Sequence, residues 1–369
     1  MFEPSPFNLA LHCLYSIKNI GQGGLSKIIK YKDPVKFFNN ANLKDFENVF
    51  KGKALDIYQE YHKIDKEILW SQEKAYFLDS QIQLVSIKDE LYPKSLLEIS
   101  AKPTLLYYKG NIENLGNTLA VIGTRKFSQY GKKVCTQIVK EVSKAGMVIV
   151  SGMALGIDSI SHQACLLAGG RTIAVLGGGL DPKVIYPKSN LGLAKEIVET
   201  GGALISEFSP KTEPRKEFFP MRNRIVSGIS KGLLVIEAPL KSGTMITVNF
   251  ALEQNRDVFA IPGNIDQKNS EGTNYLISEG AIVVLNEKSI LDQYNIDTNL
   301  EVRLLTEFTE IEQRIIHILN EKSYNLNSLS HKLDMDITNL MTEISMMELN
   351  EILISDSNGY YSLNIRIQS

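Results

Sequence analysis

Two short apolar runs, each followed by a glycine-rich turn, constrain the fold of this chain most strongly. The run Thr118–Ile122 leads into Gly123-Thr124-Arg125, and the run Met147–Val150 leads into the segment Ser151–Asp158. Each turn then opens into a stretch with the apolar spacing of a helix. A strand, a glycine turn and a helix together point backbone N–H groups and a helix N-terminus at an anion. Because one turn carries an arginine at its tip, the pair favours a phosphate-binding surface over a pocket for a single nucleotide.

Apolar, β-rich runs alternate with helical stretches through the middle of the chain. The predicted strands are Thr118–Ile122, Met147–Val150, Thr172–Leu176, Ala203–Ile205, Leu233–Glu237, Val258–Ile261 and Ala281–Leu285. The predicted helices between them are Tyr130–Ala145, Ser159–Ala168, Leu191–Thr200, Arg222–Ile229, Thr244–Asn255 and Thr273–Ser278. Such alternation predicts an α/β fold with a Rossmann-like, doubly wound parallel sheet. Ligands of such a sheet bind beyond the carboxyl ends of its strands.

Smaller domains are expected on both sides of this sheet domain, which we place at residues 76–300. Residues 1–75 predict a small helical domain, in which the turn Ile20–Gly24 is typical either of a helix–hairpin–helix or of a plain glycine linker. Residues 305–369 predict three helices and a hairpin, the outline of a winged helix. Its third helix, Ile337–Leu349, carries two glutamates and no lysine or arginine, so we do not expect it to read DNA.

The distribution of charge narrows the location of any nucleic-acid site. The net charge is −2, and residues 305–369 carry four basic against ten acidic residues, so a basic site must lie in the first 304 residues.

No apolar run is long enough to span a membrane, and no signal peptide is visible. The widely separated cysteines Cys13, Cys135 and Cys165 form no metal or disulfide pattern, which predicts a cytoplasmic protein.

The two glycine turns supply the first candidate phosphate contacts. Arg125 can bind a phosphate in bidentate fashion. Its position at a helix start, where positive charge is slightly unfavourable, favours a nearby anion over a plain surface arginine. The other candidate groups in these turns belong to Gly123, Thr124, Ser151, Gly152 and Gly156. Asp158 is typical of a helix N-cap, and we expect His162, one turn further on, to make a structural contact rather than to act in acid–base catalysis.

The segment Lys211–Arg224 is the densest basic and aromatic stretch of the chain. Basic side chains hold the phosphates of single-stranded nucleic acid, and rings stack on its bases. The candidate contacts in this segment are Lys216, Phe219, Arg222 and Arg224. The structural alternative puts a phenylalanine in the core and lets the arginines hold neighbouring elements. Lys188, which follows a third glycine turn at Gly177–Gly179 and precedes a helix, is a further candidate.

A last helix start, at Lys241-Ser242-Gly243-Thr244, follows the predicted strand Leu233–Glu237. Its residues lack the order and the leading glycine of a P-loop, so we expect all four to hold a phosphate rather than to serve an NTPase. The G-x-G-x-x-G fingerprint of dinucleotide binding is missing, and no metal-ligand cluster, nucleophile elbow or His/Cys pair is recognisable. We therefore expect no cofactor, no metal and no catalytic residue.

Taken in order along the chain, these motifs resemble the bacterial DNA-processing protein A family (DprA, also called Smf). The resemblance runs from residue 90 to residue 285. It rests on Tyr92-Pro93, Val121–Arg125, Ser151–Asp158 with His162, Ala174–Gly177, Tyr186–Lys188, Ser206-Glu207, Phe219–Ile225, Glu237-Ala238, Lys241–Thr244, Ile261–Gly263 and Gly272–Asn274. The two ends fit the family's accessory domains, a helical domain similar to SAM or helix–hairpin–helix domains and a winged helix.

The resemblance implies binding of single-stranded DNA without catalysis, loading of the RecA recombinase onto that DNA in natural transformation, and homodimerisation through the Rossmann-like domain. Arg125 matches the family's DNA-binding arginine, and Asn274–Ile282 matches its self-association surface. Basic contacts of the family fall at Lys188, Lys216 and Lys241. The chain departs from the family at Phe208, where a tyrosine is commoner, and in its N-terminal turn, which lacks the usual Pro-Gly-Ile-Gly.

Two other functions are compatible with parts of the sequence. The first is a nucleotide hydrolase of a related Rossmann-like family, which cleaves nucleoside monophosphates to base and ribose phosphate. Such enzymes carry a Pro-Gly-Gly-x-Gly-Thr…Glu signature, and the nearest segment here, Leu240–Thr244, lacks those glycines. The second is a winged-helix transcription factor, which the acidic third helix disfavours.

Overall fold

The computed structural model describes residues 3–296, 301–320, 322–356 and 359–368. The chain divides into two compact units, Met1–Ile290 and Leu291–Ser369. Residues 297–300, at the end of the predicted sheet domain, lie outside the described residues.

A sheet of nine strands, counted over the described residues, forms the centre of the first unit. Its strands are β1 (Gln83–Ser86), β2 (Leu105–Gly110), β3 (Thr118–Ile122), β4 (Val148–Ser151), β5 (Thr172–Val175), β6 (Ala203–Ser206), β7 (Gly232–Val235), β8 (Asp257–Ala260) and β9 (Ile282–Val283). Their order across the sheet is β1-β2-β6-β5-β4-β3-β7-β8-β9. All neighbouring strands from β6 to β9 run parallel, which is the Rossmann-like core that the alternation predicts.

The whole sheet is mixed, which corrects the prediction of a wholly parallel one. β1 pairs antiparallel with β2, and β2 pairs antiparallel with β6. Gly110, the last residue of β2, faces Ala203, the first residue of β6, so β2 ends at the amino edge of the parallel strands. β3 begins at that same edge, and residues 111–117 join the two. A strand added in this direction needs no crossover helix, so an alternation of helices and strands does not reveal it.

The helices of the sheet region follow the predicted order. They are α7 (Gln129–Lys144), α8 (Ile157–Leu167), α9 (Leu191–Glu199), α10 (Phe218–Ile229), α11 (Gly243–Glu253), α12 (Glu271–Ser278) and the short α13 (Lys288–Leu291). α10 differs most from its prediction, because it begins at Phe218 rather than at Arg222. The basic and aromatic segment is therefore part loop and part helix.

The helices before the sheet pack against one of its faces. They are α1 (Pro6–Tyr15), α2 (Gln22–Tyr31), α3 (Pro34–Asn40), α4 (Leu43–Phe50), α5 (Ala54–His62) and α6 (Lys66–Ser80), and we call them the N-terminal layer. In β2, Leu105 and Tyr107 join the apolar cluster of this layer, whereas Leu106 and Tyr108 join the cluster on the opposite face. The layer and the sheet thus share a core within one compact unit. That residues 1–75 form a domain of their own stays a prediction.

The second unit combines helices with small sheets. Its elements are β10 (Glu301–Leu304), α14 (Glu310–Leu319), β11 (Tyr324–Asn325), α15 (Leu326–Leu333), α16 (Ile337–Leu349), β12 (Leu353–Ser355), β13 (Tyr360–Leu363) and β14 (Ile365–Gln368). β13 pairs antiparallel with both β11 and β12, and β10 pairs parallel with β14. Ile315, Leu329, Leu340 and Ile344 contribute to its own core. A winged-helix assignment for this unit stays a prediction.

The order of the parallel strands reverses between β3 and β7. From β3 the chain steps through β4 and β5 to β6 on one side, and it then returns to place β7, β8 and β9 on the other side. In open α/β sheets, ligands bind in the crevice that such a reversal leaves at the carboxyl ends of the strands. The turns that follow β3, β4 and β7 meet at this edge.

Candidate nucleic-acid interface

A groove of about 720 Å³ lies at the carboxyl ends of the strands, where the strand order reverses. Several of the predicted site residues line it: Gly123, Thr124, Arg125, Gly152, Lys216, Phe219, Arg222, Ser242, Gly243 and Thr244. Its lining also includes Asp158, Tyr186 and Arg215. The fold therefore brings together segments that are more than 100 residues apart in the sequence.

A hydrogen bond and close packing hold the turn after β3 in place, and its arginine, Arg125, lines the groove. Thr124 donates its backbone N–H to the carbonyl oxygen of Glu237, at 2.8 Å. A Cβ atom at Gly123 would lie 2.7 Å from the Ile157 side chain, so only glycine lets α8 approach this turn so closely. Arg125 is exposed, and its guanidinium carbon lies 5.8 Å from the centre of the Phe219 ring. A cation and an aromatic ring thus stand side by side in the groove.

Phe219 belongs to an aromatic pair on the wall of the groove. Its ring centre lies 5.9 Å from that of Tyr186, which is half exposed and was not among the predicted contacts. A Cβ atom at Gly177 would lie 2.8 Å from the Phe219 ring, so the third glycine turn makes room for this side chain. Residues 177–179 are themselves buried, so this turn acts on the groove through the side chain that it accommodates. The sequence signals for Tyr186 are its position two residues before Lys188 and its place in the motif Tyr186–Lys188.

The turn after β4 packs against the turn after β3 and thereby holds that part of the groove in place. The Ser151 hydroxyl is buried and donates to the carbonyl oxygen of Val121, at 2.6 Å. Gly156 has a φ of +90°, and a Cβ atom there would lie 2.5 Å from the carbonyl oxygen of Thr124. The two glycine turns are therefore packed against each other. Burial disfavours direct contact of Ser151 with a ligand, and that contact stays a prediction.

Arg222 lies beneath the groove, beside the carboxylate of Asp158. Its guanidinium donates to the carbonyl oxygens of Gly152 and Val175, and only 4% of the residue is exposed. Burial lowers the pKa of Arg222 to about 10, although the charge of Asp158 opposes this shift. Burial likewise raises the pKa of Asp158, against the opposing charge of Arg222. The pair favours a supporting role for Arg222, the structural alternative that the sequence leaves open.

Arg224 is also held within the protein. It lies 2.5 Å from the carboxylate of Glu207, and both side chains are largely buried. Arg224 does not line the groove, and its role as a DNA contact stays a prediction that this ion pair disfavours. Its partner Glu207 begins the loop that carries Lys216.

Two helix N-termini at this edge differ in what occupies them. At the start of α7, the buried carboxylate of Glu237 accepts hydrogen bonds from the backbone N–H and the hydroxyl of Ser128, at 2.9 and 2.5 Å. At the start of α11, the N-cap residue Ser242 makes no capping hydrogen bond, and its buried hydroxyl has no partner among the described residues. Gly243 is exposed there, with open space around it. The end of α11 is thus free to receive an anion, whereas that of α7 already holds one.

The three candidate lysines are all exposed. Lys216 lines the groove itself. Lys188 lies two residues after the lining residue Tyr186, and Lys241 directly precedes Ser242. Both lysines therefore lie in the segments that border the groove.

His162 makes the structural contact that the sequence predicts. Its Nδ1 lies 2.7 Å from the hydroxyl oxygen of Thr172, which donates its own hydrogen to the carbonyl oxygen of Ile149. Nδ1 must therefore carry the proton, and Nε2 is left buried without a partner in the described part of the chain. Burial lowers the pKa of His162 to about 3.

The described residues contain neither a group of metal-ligating side chains nor a helix that could span a membrane. No three His, Cys, Asp or Glu side chains are grouped closely enough to hold a metal ion. Among the same residues, no helix has both the length and the apolar character required to cross a bilayer.

Comparisons with known proteins match the region that carries the groove. A family model described as DNA recombination-mediator protein A matches residues 83–295. The DNA processing protein DprA of Streptococcus pneumoniae is 43% identical over 287 residues, which are 76% of this chain and 98% of that protein. Protein Smf of Escherichia coli is 40% identical over 230 residues, 62% of this chain and 59% of that protein. The chain thus matches less than two thirds of the length of the E. coli relative.

Solved structures agree with the sequence comparisons. The crystal structure of DprA from S. pneumoniae has a TM-score of 0.66 at 34% identity and covers 79% of this chain and 99% of that one. A structure of DprA from Helicobacter pylori, described as giving insight into the single-stranded DNA binding mode of that protein, has a TM-score of 0.52 at 30% identity. It covers 58% of this chain and 97% of that one. Because the family model spans more than half of the chain and the relatives carry the same names, the chain belongs to the DNA recombination-mediator protein A family, the DprA and Smf proteins that its motifs resemble.

Proposed function

We propose that this protein binds single-stranded DNA in the groove at the carboxyl edge of its sheet. The observation that carries the proposal is the exposed guanidinium of Arg125 beside the ring of Phe219, in the groove that the free end of α11 also lines. Single-stranded DNA needs cations for its phosphates and rings for its bases, and this groove offers both. The H. pylori relative, which binds single-stranded DNA, supports the same activity here.

The DNA backbone would follow the exposed basic residues and the free helix end. We assign phosphate contacts to Arg125, Lys188, Lys216 and Lys241, and to the backbone N–H groups of Ser242–Thr244. Each phosphate that the protein neutralises releases counterions, so affinity falls as salt rises. Phe219 and Tyr186 would stack on bases.

Family membership together with this groove supports a proposal for the cellular role. We propose that the protein is not an enzyme but a mediator that protects incoming single-stranded DNA and loads RecA onto it in natural transformation. It would act in the cytoplasm as a homodimer formed through the Rossmann-like domain. Its three cysteines are free and buried, which fits a reducing compartment.

The test compares binding of single-stranded and duplex DNA at two salt concentrations. We expect preference for the single strand. Arg125→Ala and Lys216→Ala should each weaken binding about tenfold and lower the slope of log affinity against log salt by about 1. Lys144→Ala is the matched control, because Lys144 ends α7 at the opposite edge of the sheet and pairs with Glu141. Unchanged affinity and slope in a folded Arg125→Ala/Lys216→Ala double variant would refute the groove assignment.

A nucleotide hydrolase is the second candidate, favoured by one observation. Asp158 lines the groove, and burial raises its pKa, as in a general acid. Against it, the carboxylate of Glu237 already fills the end of α7, where a nucleotide phosphate would bind. Incubation with nucleoside monophosphates should release no free base. If the wild type releases free base and the Asp158→Asn variant does not, the hydrolase would be favoured.

A further inference from the structure

The loop of residues 207–217, which joins β6 to α10, is held at its start by the N-terminal layer. Gln22, the first residue of α2, donates from Nε2 to the carbonyl oxygens of Glu207 and Leu105, at 2.9 and 3.0 Å. Its Oε1 accepts from the backbone N–H groups of Thr104 and Leu105, at 2.8 and 3.0 Å. Both donors and both lone pairs of the amide are thus used, which fixes the orientation of this side chain.

The middle of the same loop is held by α6. The hydroxyl of Tyr76 donates to the carboxylate of Asp181, at 3.2 Å, and the backbone N–H of Asp181 donates to the carbonyl oxygen of Pro210, at 3.0 Å. The ammonium of Lys211 lies 4.1 Å from the centre of the Tyr76 ring. Tyr76 therefore contacts the loop directly through its ring, and its hydroxyl is linked to the loop through Asp181.

The start and the end of the loop are tied to each other as well. The rings of Phe208 and Phe218 stack at 4.1 Å, and Arg224 of α10 pairs with Glu207. A displacement at Glu207 is thereby passed on to α10, whose first turn carries Phe219. Between these anchors, Pro214, Arg215 and Lys216 line the groove.

We propose that Gln22 and Tyr76 are positioning residues for DNA binding. They set the place of Lys216 and Phe219 from the N-terminal layer without contacting DNA themselves. The glycine turn at the start of α2 thus acts on the loop through Gln22, which follows Gly21. This inference rests on the proposed function only for its effect on DNA, because the effect on the loop is independent of DNA.

The first experiment measures amide hydrogen exchange over residues 207–217 without DNA. Gln22→Leu removes all four side-chain hydrogen bonds, and Tyr76→Phe removes one while keeping the ring. We expect both variants to speed exchange in this loop. Tyr31→Phe is the matched control: at the other end of α2 it removes the hydrogen bond that Tyr31 donates to Asp45 and the one that it accepts from Asn48, and it should leave the loop unchanged.

The second experiment measures affinity for a single-stranded oligonucleotide across a salt series. Gln22→Leu and Tyr76→Phe should weaken binding about threefold to tenfold with the salt slope unchanged, because no phosphate contact is lost. In a Lys216→Ala background the effect of Gln22→Leu should shrink, since the contact that Gln22 positions is already gone. A residue with a merely general structural role would not couple to Lys216 in this way.

The outcomes separate this inference from the proposed function. If Gln22→Leu and Tyr76→Phe speed exchange in the loop but Arg125→Ala does not change DNA binding, the positioning role is supported and the assignment of DNA to the groove is rejected. If Arg125→Ala loses affinity for DNA but Tyr76→Phe and Gln22→Leu change neither loop exchange nor affinity, the positioning role of Gln22 and Tyr76 is overturned. Tyr76→Phe, a milder change than Gln22→Leu, keeps the test valid if the latter variant fails to fold.

Discussion

Arg125 and Arg222 show how two arginines of one groove differ in their surroundings. Arg125 is exposed beside Phe219, and no hydrogen bond joins its guanidinium to another of the described residues. Arg222 is buried, donates to two carbonyl oxygens and faces Asp158. Removing a buried charge from such a pair leaves its partner uncompensated, at a cost of about 3–5 kcal/mol. Loss of Arg222 should therefore act on folding, and loss of Arg125 on binding.

Phe219 and Phe218 offer a matched comparison of ring stacking. Phe219→Leu should weaken binding of single-stranded DNA by about 1–3 kcal/mol, the usual contribution of one stacked base. Phe218→Leu should weaken binding less than Phe219→Leu does, because its ring stacks on Phe208 and affects DNA only through the position of the loop. Fluorescence anisotropy with an oligothymidine measures both. Equal losses in the two variants would contradict the assignment of Phe219 as the stacking residue.

The buried imidazole of His162 predicts a loss of stability in acid. In the unfolded chain its pKa is about 6.5, whereas burial lowers it to about 3 in the folded state. Its neutral form is compatible with folding above pH 6.5. As the pH falls from 6.5 towards 3, only the unfolded chain gains the proton, and stability falls by up to about 1.4 kcal/mol per pH unit.

The measurement is urea unfolding at pH 7.5 and pH 5, followed by the fluorescence of Trp70, the single tryptophan, which lies in the same compact unit. His162→Gln should be less stable than the wild type at pH 7.5. From pH 7.5 to pH 5, its free energy of unfolding should fall by about 2 kcal/mol less than that of the wild type. Identical losses in the two proteins would show that His162 is not the titrating group.

Among the elements, the free N-terminus of α11 allows a test in which stability and binding change in opposite directions. Gly243→Asp places a negative charge in the first turn, where the helix dipole favours it by about 0.3–1 kcal/mol. The same charge repels a DNA phosphate. We therefore expect a chain at least as stable as the wild type with at least about tenfold weaker DNA binding.

Gly243→Ala is the control for that variant, because a Cβ atom at this position has open space around it. It should bind DNA as the wild type does. Thermal unfolding and a salt series of binding measurements on both variants decide the question. Undiminished binding by Gly243→Asp would exclude α11 from the phosphate path.

At the scale of the whole molecule, the proposed dimer surface Asn274–Ile282 reaches from α12 to β9 at the edge of the sheet. Exposed apolar side chains lie on either side of this surface in the sequence: Ile265 is 94% exposed and Leu285 78% exposed. Asn274 exchanges two hydrogen bonds with Gly263, which anchors the loop that carries Ile265. Exposed apolar residues at a sheet edge are typical of an interface.

Ile265→Asp and Leu285→Asp should each convert a dimer to a monomer in sedimentation velocity. Leu167→Asp is the control, since Leu167 at the end of α8 is 81% exposed but far in the sequence from the predicted surface. A dimer that survives both substitutions would place the interface elsewhere.

Local pattern was enough to predict the parallel core of the sheet. Strand β3 has the predicted bounds, and α7, α8, α9 and α11 differ from prediction by a few residues at their ends. Apolar runs of strand length, glycine at the turns and helical spacing after them are local properties. β1 and β2 escaped prediction because β2 joins the sheet by antiparallel pairing with the distant β6, and β1 joins only through β2, which leaves no periodic signal in the sequence.

The sequence by itself determined which segments carry the groove, because the carboxyl ends of parallel strands must meet at one edge. Only the tertiary structure decided which basic side chains face solvent there. Arg222 is held by the carbonyl oxygens of Gly152 and Val175, and Arg224 is held by Glu207. Partners so distant in the chain fix burial and hydrogen bonding, and these properties decide whether a cation is free for a ligand or already satisfied by the protein.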